Sequence, residues 1–191
     1  MPGSAFNAIY EIADEQNGYV TTAQAAGVHV GKNTLAMMAR RGVLERVSWG
    51  VYRLSRFPVS AMDQYVEASL WPLSTRGVVS HESALAIYGL SDASPTRIHI
   101  TVPKSMRVRR RLPRGLVIHR ATLGPADTQV HEGVPVTTPE RTIRDCHAAH
   151  LGPALVRQAI RDGRRTGHLR VAQAEKLERE LLGAHQDGEE P

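Results

Sequence analysis

The chain has 191 residues and a formal net charge of +5, with 24 Lys and Arg residues against 19 Asp and Glu residues. Apolar residues make up 41% of the chain, which is enough to build a core in one domain or two small ones. No stretch approaches the roughly 18 apolar residues of a membrane span, and the start lacks a secretory pattern, so we expect a cytoplasmic protein without a membrane partner. The single cysteine, Cys146, excludes an intrachain disulfide and every zinc motif that needs several cysteines.

Positive charge is concentrated in residues 97–120, which contain no Asp or Glu. The basic residues of this segment are Arg97, Lys104, Arg107, Arg109, Arg110, Arg111, Arg114 and Arg120. Residues 171–191, by contrast, hold six acidic and two basic residues, so they mask part of the charge elsewhere. This asymmetry favours a polyanionic partner, with nucleic acid as the first candidate. A solvated basic loop that serves only solubility is the alternative.

The first forty residues predict three short helices. The predicted segments are a helix that ends before residues 16–18, a strand at 19–20, and helices over 22–26 and 32–41. Thr21 and Gln24 have the spacing of a capping box, in which each side chain bonds the backbone N–H of the other residue. Two helices joined by a tight turn after a first helix are typical of a helix-turn-helix.

The third helix separates its residues into two faces. At about 100° per residue, Leu35, Met38 and Ala39 share one face, and Asn33, Met37, Arg40 and Arg41 share the other. Asn pairs with adenine, Arg with guanine or phosphate, and Met can meet a thymine methyl, so the polar face suits a DNA groove. The alternative is an ordinary surface helix whose terminal arginines complement the helix dipole.

Two β-prone runs, residues 43–47 and 51–54, are joined by a turn that contains Gly50 and predict a hairpin. A hairpin directly after a helix-turn-helix is a wing, and Trp49 lies either at its tip or in the core. The residues predicted to contact DNA are Thr22, Lys32, Asn33, Thr34, Met37, Arg40, Arg41, Arg46, Ser48, Trp49 and Arg53.

The rest of the chain predicts a mixed α+β domain with a small sheet and several helices. Helices are expected over residues 61–70 and 81–88, after Thr138 and Gly152, and over 169–182; strands are expected over 98–102, 116–120 and 130–136. We therefore predict a winged helix at 5–57, an α+β domain at 58–183 and a flexible tail at 184–191. An auxiliary basic patch for phosphate or a protein partner comprises Lys104, Arg107, Arg109, Arg110, Arg111, Arg114, Arg157, Arg161, Arg164 and Arg165.

Residues 18–54, GYVTTAQAAGVHVGKNTLAMMARRGVLERVSWGVYRL, resemble the amino-terminal winged helix of AbiEi-type antitoxins. The resemblance continues in order through SHESAL (80–85), GLS (89–91), RIHITVP (97–103) and VPVTTPERT (134–142). It implies an antitoxin that represses its own operon by binding inverted repeats in double-stranded promoter DNA. It also implies a carboxy-terminal domain that counters a nucleotidyltransferase-like toxin.

The sequence gives little support for catalysis. Its nine histidines form no HExxH motif, the chain has no phosphate-binding GxxxxGK[ST] loop, and Cys146 falls on the apolar side of its helix. We expect no enzyme, no cofactor and no metal site; His99 and His119, on neighbouring predicted strands, are the pair that could meet. Two alternatives stay open: a transcriptional regulator without a toxin, and a nucleic-acid-modifying enzyme positioned by the winged helix.

Overall fold

The structure, a computed structural model, describes residues 3–72, 75–107 and 112–183 and has the expected mixed α+β fold. The helices are α1 (Gly3–Asp14), α2 (Thr22–Gly27), α3 (Lys32–Arg40), α4 (Asp63–Leu70), α5 (His81–Tyr88), α6 (Pro139–Ala148), α7 (Pro153–Arg165) and α8 (Val171–Leu182). The strands are β1 (Tyr19–Thr21), β2 (Leu44–Ser48), β3 (Val51–Leu54), β4 (Val78–Val79), β5 (Ile98–Val102), β6 (Leu116–Arg120), β7 (Thr128–His131) and β8 (Val134–Thr137). A 3-10 helix spans Pro125–Asp127.

The chain divides into two compact units. The first comprises Met1–Gly77 with Val130–Pro135, and the second comprises Val78–Gln129 with Val136–Pro191. The tail at 184–191 and the arginines at 109–111 lie outside the described residues. In the part of the chain that is described, no helix is long and apolar enough to cross a membrane.

The first unit has the topology of a winged helix. Its three strands form an antiparallel sheet in the order β1-β3-β2, and Ile9 from α1, Leu35 from α3 and Leu44 from β2 are fully buried in one core. The predicted capping box is confirmed, because the Gln24 N–H donates to Thr21 Oγ1 at 3.1 Å and the Thr21 N–H donates to Gln24 Oε1 at 2.9 Å. These bonds satisfy backbone donors at the start of α2.

The first unit continues beyond the hairpin and includes α4. The guanidinium of Arg53 on β3 donates to the carbonyls of Phe57 and Pro58, at 3.1 and 2.7 Å, and to Asp63 Oδ2 at 3.2 Å. One buried side chain thereby fixes both the chain that leaves the sheet and the first residue of α4.

A five-stranded mixed sheet has the order β6-β5-β4-β8-β7, and its strands β4, β5 and β6 lie wholly in the second unit. β5 pairs with β6 in parallel and with β4 in antiparallel orientation, while β4 and β8 are parallel. Ile100 of the sheet is fully buried, as are Ile143, Ile160 and Leu177 on the helices α6, α7 and α8.

One detail of the predicted second domain is wrong. The single strand expected over 130–136 is two strands, because Glu132 and Gly133 have φ values of 46° and 78° and form a tight turn. The basic segment between β5 and β6 joins two parallel strands, so this connection is not a hairpin. Val171 is 52% exposed at the start of α8.

Candidate nucleic-acid interface

Helix α3 presents a polar face to solvent. Leu35 and Met38 are buried, whereas Lys32, Asn33 and Arg40 are exposed and Met37 is 44% exposed. Exposed positions 33, 37 and 40 recur at the spacing of one helical face, so their side chains could enter a groove together. Arg41, also exposed, follows as the C-cap, where its charge complements the helix dipole.

The wing is the β2–β3 hairpin, residues 44–54. Trp49 lies in the turn of the hairpin and is 60% exposed. It is therefore at the tip of the wing and not in the core. Arg46 is exposed on β2, next to a register shift between Arg46 and Ser48 that alters the pleat. The Thr22 N–H donates to the Gly50 carbonyl at 2.9 Å, which ties the start of α2 to the turn of the wing. The Thr22 and Thr34 side chains are half-buried.

Ser48 has a partner inside the first unit. Its side chain is hydrogen-bonded to the carboxylate of Glu67 on α4. Burial raises the pKa of Glu67, and the bond from Ser48 opposes that rise. A phosphate at Ser48 would have to compete with this contact, which makes Ser48 a weaker candidate than Arg46.

The prediction that Arg53 contacts DNA needs correction. Its side chain is 9% exposed and forms an ion pair with Asp63 at 3.2 Å, and its guanidinium stands 5.6 Å from the centre of the Tyr19 ring. Strand alternation in a two-stranded wing would expose Arg53, but β1 pairs with β3 on the side opposite β2, and Asp63 at the start of α4 binds the guanidinium. Arg53 therefore has a structural role.

The auxiliary basic patch falls on two separate parts of the second unit. Its described members in the β5–β6 connection are the exposed residues Lys104, Arg107 and Arg114; Arg109, Arg110 and Arg111 lie outside the described residues. Its members on α7 are Arg157, Arg161, Arg164 and Arg165, all exposed. Arg165 forms an exposed ion pair with Asp162 at 3.4 Å. Val156, Ala159 and Ile160 of α7 are buried.

A histidine cluster occupies the start of α5 and the neighbouring strands. His119 Nε2 lies 3.2 Å from His99 Nδ1, so the pair expected to meet does so. The third member, His81, was not predicted from the sequence, and it stacks on His119 with ring centres 3.5 Å apart. Burial, with a smaller effect of His119 and His99, lowers the pKa of His81 to about 3, and burial followed by His99 lowers that of His119 to about 4.

Two backbone and side-chain features hold the histidine cluster in place. His81 has φ +55°, an uncommon value for a residue other than glycine, and its Nδ1 lies 2.9 Å from the hydroxyl of Ser80. That hydroxyl also accepts a bond from Thr101 at 2.8 Å, so Ser80 sits at the N-cap of α5 without capping it through its side chain. Across the described residues, no group of three or more His, Cys, Asp or Glu residues is placed to hold a metal ion.

Cys146 is buried at 1% exposure on α6, as its position on the apolar face predicted. Burial is the main cause that raises the pKa of its thiol to about 12. The thiol is therefore protonated at neutral pH and unsuited to nucleophilic attack.

A winged-helix topology followed by an α+β unit defines a two-part α+β protein. A family model described as "Transcriptional regulator, AbiEi antitoxin" matches residues 7–55, and one described as "AbiEi antitoxin C-terminal domain" matches residues 77–155. Both parts of the chain therefore match models of AbiEi antitoxins, which confirms the resemblance found in the sequence.

Two further comparisons add little to this assignment. The chain is similar to the solved structure titled "Crystal structure of RV2827C protein from Mycobacterium tuberculosis", with 17% sequence identity and a TM-score of 0.45 over 95% of this chain and 73% of that one. A comparison with curated proteins found no match.

Proposed function

We propose that the protein is the DNA-binding antitoxin of a toxin–antitoxin pair and represses its own operon in the cytoplasm. The observation that carries the proposal is the exposed face of α3, with Asn33, Met37 and Arg40, beside a wing that exposes Arg46 and Trp49. Such a face combines base-reading groups with cations for phosphate. The family match supports a regulatory role.

A mobility-shift titration with the promoter region of the operon that encodes the protein tests repression. The double variant Arg40→Ala, Arg41→Ala is expected to bind at least tenfold more weakly, because both side chains are exposed at the end of α3. The matched control is Lys176→Ala, Arg179→Ala, which removes the same charge from exposed positions of α8. Equal binding by wild type and the α3 variant would contradict the interface.

The second unit is proposed to counter a nucleotidyltransferase-like toxin. This is supported by the family match over residues 77–155 and by the exposed arginines of α7, which suit an acidic protein surface. Co-expression with the product of the neighbouring gene tests it: wild type should restore growth, and Arg157→Glu with Arg161→Glu should restore less. Promoter binding by that variant should stay intact.

The same experiments separate the two alternatives. If the neighbouring gene encodes no such toxin while promoter binding persists, the protein is a regulator without a toxin partner. Metal-dependent cleavage or modification of DNA or RNA by purified protein would instead support the enzyme alternative; we expect both nucleic acids to remain intact.

A further inference from the structure

A groove of about 430 Å³ opens in the first unit. Phe6 and Tyr10 of α1 form one wall, the turn from Arg41 to Val43 forms a second, and the segment from Leu54 to Pro58 after β3 forms a third. Its volume falls in the range of small-molecule sites, roughly 300–1,000 Å³. The contacts proposed for DNA on α3 and the wing use Arg41 but none of the other groove residues.

The third wall is fixed by close packing and hydrogen bonds. Gly18 has φ +85°, and a Cβ there would lie 2.6 Å from Cβ and Cγ of Phe57, so the backbone of Gly18 supports the ring directly. Arg53 holds the carbonyls of Phe57 and Pro58, and the Leu54 N–H donates to the Gly18 carbonyl at 2.8 Å. A wall fixed in this way costs a ligand little ordering entropy.

The chemistry of the lining selects an apolar anion. Phe6 and Tyr10 stand with ring centres 6.0 Å apart, and Tyr10 is 45% exposed, so aromatic surface is open to a ligand. Two cations, Arg41 and Arg56, are exposed in the lining, and none of the described lining residues is acidic. Neither arginine is paired with a carboxylate within the described residues. Guanidinium groups bind planar carboxylates through paired hydrogen bonds.

The groove is connected to the end of α3. The Val43 N–H donates to the Met38 carbonyl at 3.0 Å, and the Ser55 N–H donates to the Val43 carbonyl at 3.1 Å. The turn that lines the groove is thus bonded both to α3 and to the segment after β3. Because Arg41 lines the groove and also belongs to the set predicted to contact DNA, a ligand held by its guanidinium would compete with DNA for it.

We propose that this groove binds a small aromatic carboxylate and that binding weakens operator recognition by engaging Arg41. The regulatory part rests on the proposed function; the binding part does not. Arg56 is the residue that distinguishes the groove from the DNA interface, because it lines the groove and is absent from the set predicted to contact DNA.

Ligand binding is tested with the full chain and the fluorescent probe 8-anilinonaphthalene-1-sulfonate, an aromatic anion. Indole-3-acetate should displace the probe and uncharged indole-3-acetamide should not. The Arg56→Gln variant is expected to bind the probe about tenfold more weakly than wild type. The control variant Arg179→Gln, which changes an exposed arginine on α8, should bind the probe as tightly as wild type. Equal binding by wild type and Arg56→Gln, or displacement by the amide, overturns the site.

Regulation is tested by operator binding with and without saturating indole-3-acetate. Wild type should bind DNA about fivefold more weakly with the ligand, and Arg56→Gln should bind equally in both conditions. Loss of operator affinity by Arg56→Gln without ligand overturns the proposal in favour of a phosphate contact, and an unchanged wild-type affinity overturns the regulatory part. If wild type binds no operator, the proposed function fails, while the probe titration still decides whether the groove is a site.

Discussion

The imidazole of His81 lies flat on that of His119, with ring centres 3.5 Å apart and planes inclined by 15°. Two protonated rings could not share this arrangement, because like charges at such a distance repel strongly where water is scarce. Arg141 adds to the positive potential at His81, and Arg97 adds to it at His99, where only Glu82 acts in the opposite direction. The cluster is therefore stable as neutral imidazoles.

The stability of the protein should fall on acidification below about pH 6.5. The unfolded chain binds a proton at each histidine near that pH, whereas folded His119 does so only near pH 4. The unfolded state then holds more protons, so the free energy of unfolding decreases as pH falls through this interval. The variant His119→Phe keeps a ring that can stack on His81. In this variant the decrease in the free energy of unfolding over this pH interval should be smaller by on the order of 2 kcal/mol.

Urea unfolding at a series of pH values measures the effect. His29→Asn is the matched control, because His29 is exposed and has φ +61°, which asparagine tolerates. The same pH dependence in wild type and His119→Phe would show that other groups control acid unfolding.

The ion pair of Arg53 and Asp63 should be essential to the first unit. Arg53→Ala leaves the carboxylate of Asp63, which is 15% exposed, without its cation, and it removes the donor to the carbonyls of Phe57 and Pro58. The free energy of unfolding should therefore decrease by roughly 3–5 kcal/mol. Thermal unfolding of both single variants and the double variant measures the coupling. Operator affinity of Arg53→Ala, measured well below its unfolding temperature, should equal that of wild type; a selective loss of affinity would restore Arg53 to the interface.

Local signals determine much of this fold. The capping box at Thr21 and the helical face of Leu35 and Met38 depend on residues a few positions apart, so the sequence displays them directly. Burial of Cys146 and exposure of Arg40 follow from the same helical periodicity.

Features that depend on contacts between residues far apart in the chain could not be predicted from the sequence. The burial of Arg53 depends on β1 and α4, and the position of His81 depends on strands that carry His99 and His119. The parallel pairing of β5 with β6 likewise leaves no local mark on either strand. The turn at Glu132 and Gly133 did carry a signal, a glycine between two β-branched runs, and it could have been predicted.

Cys146 should be unreactive in the folded protein. The residue is 1% exposed, so a reagent cannot reach the thiol. Burial raises the pKa of the thiol to about 12, so the reactive thiolate is not formed near neutral pH. Titration with Ellman's reagent near pH 8, a condition under which ordinary thiols react, should detect no thiol in native protein and one per chain in urea. Rapid reaction of the native protein would mean that α6 opens readily.

Asn33 and Arg46 should affect DNA binding in different ways. Asn33 is exposed on α3, where its amide can read a base, so Asn33→Ala should reduce the preference for operator over unrelated DNA by roughly 1–3 kcal/mol. Arg46 is exposed on the wing and suits phosphate, so Arg46→Ala should weaken binding to both DNAs alike and lower the salt slope by about 1. Fluorescence anisotropy with both duplexes over a range of salt concentrations separates the effects, with Lys176→Ala as the charge-matched control for Arg46→Ala. If Arg46→Ala altered sequence preference while Asn33→Ala altered the salt slope, the assignment of helix to bases and wing to backbone would be reversed.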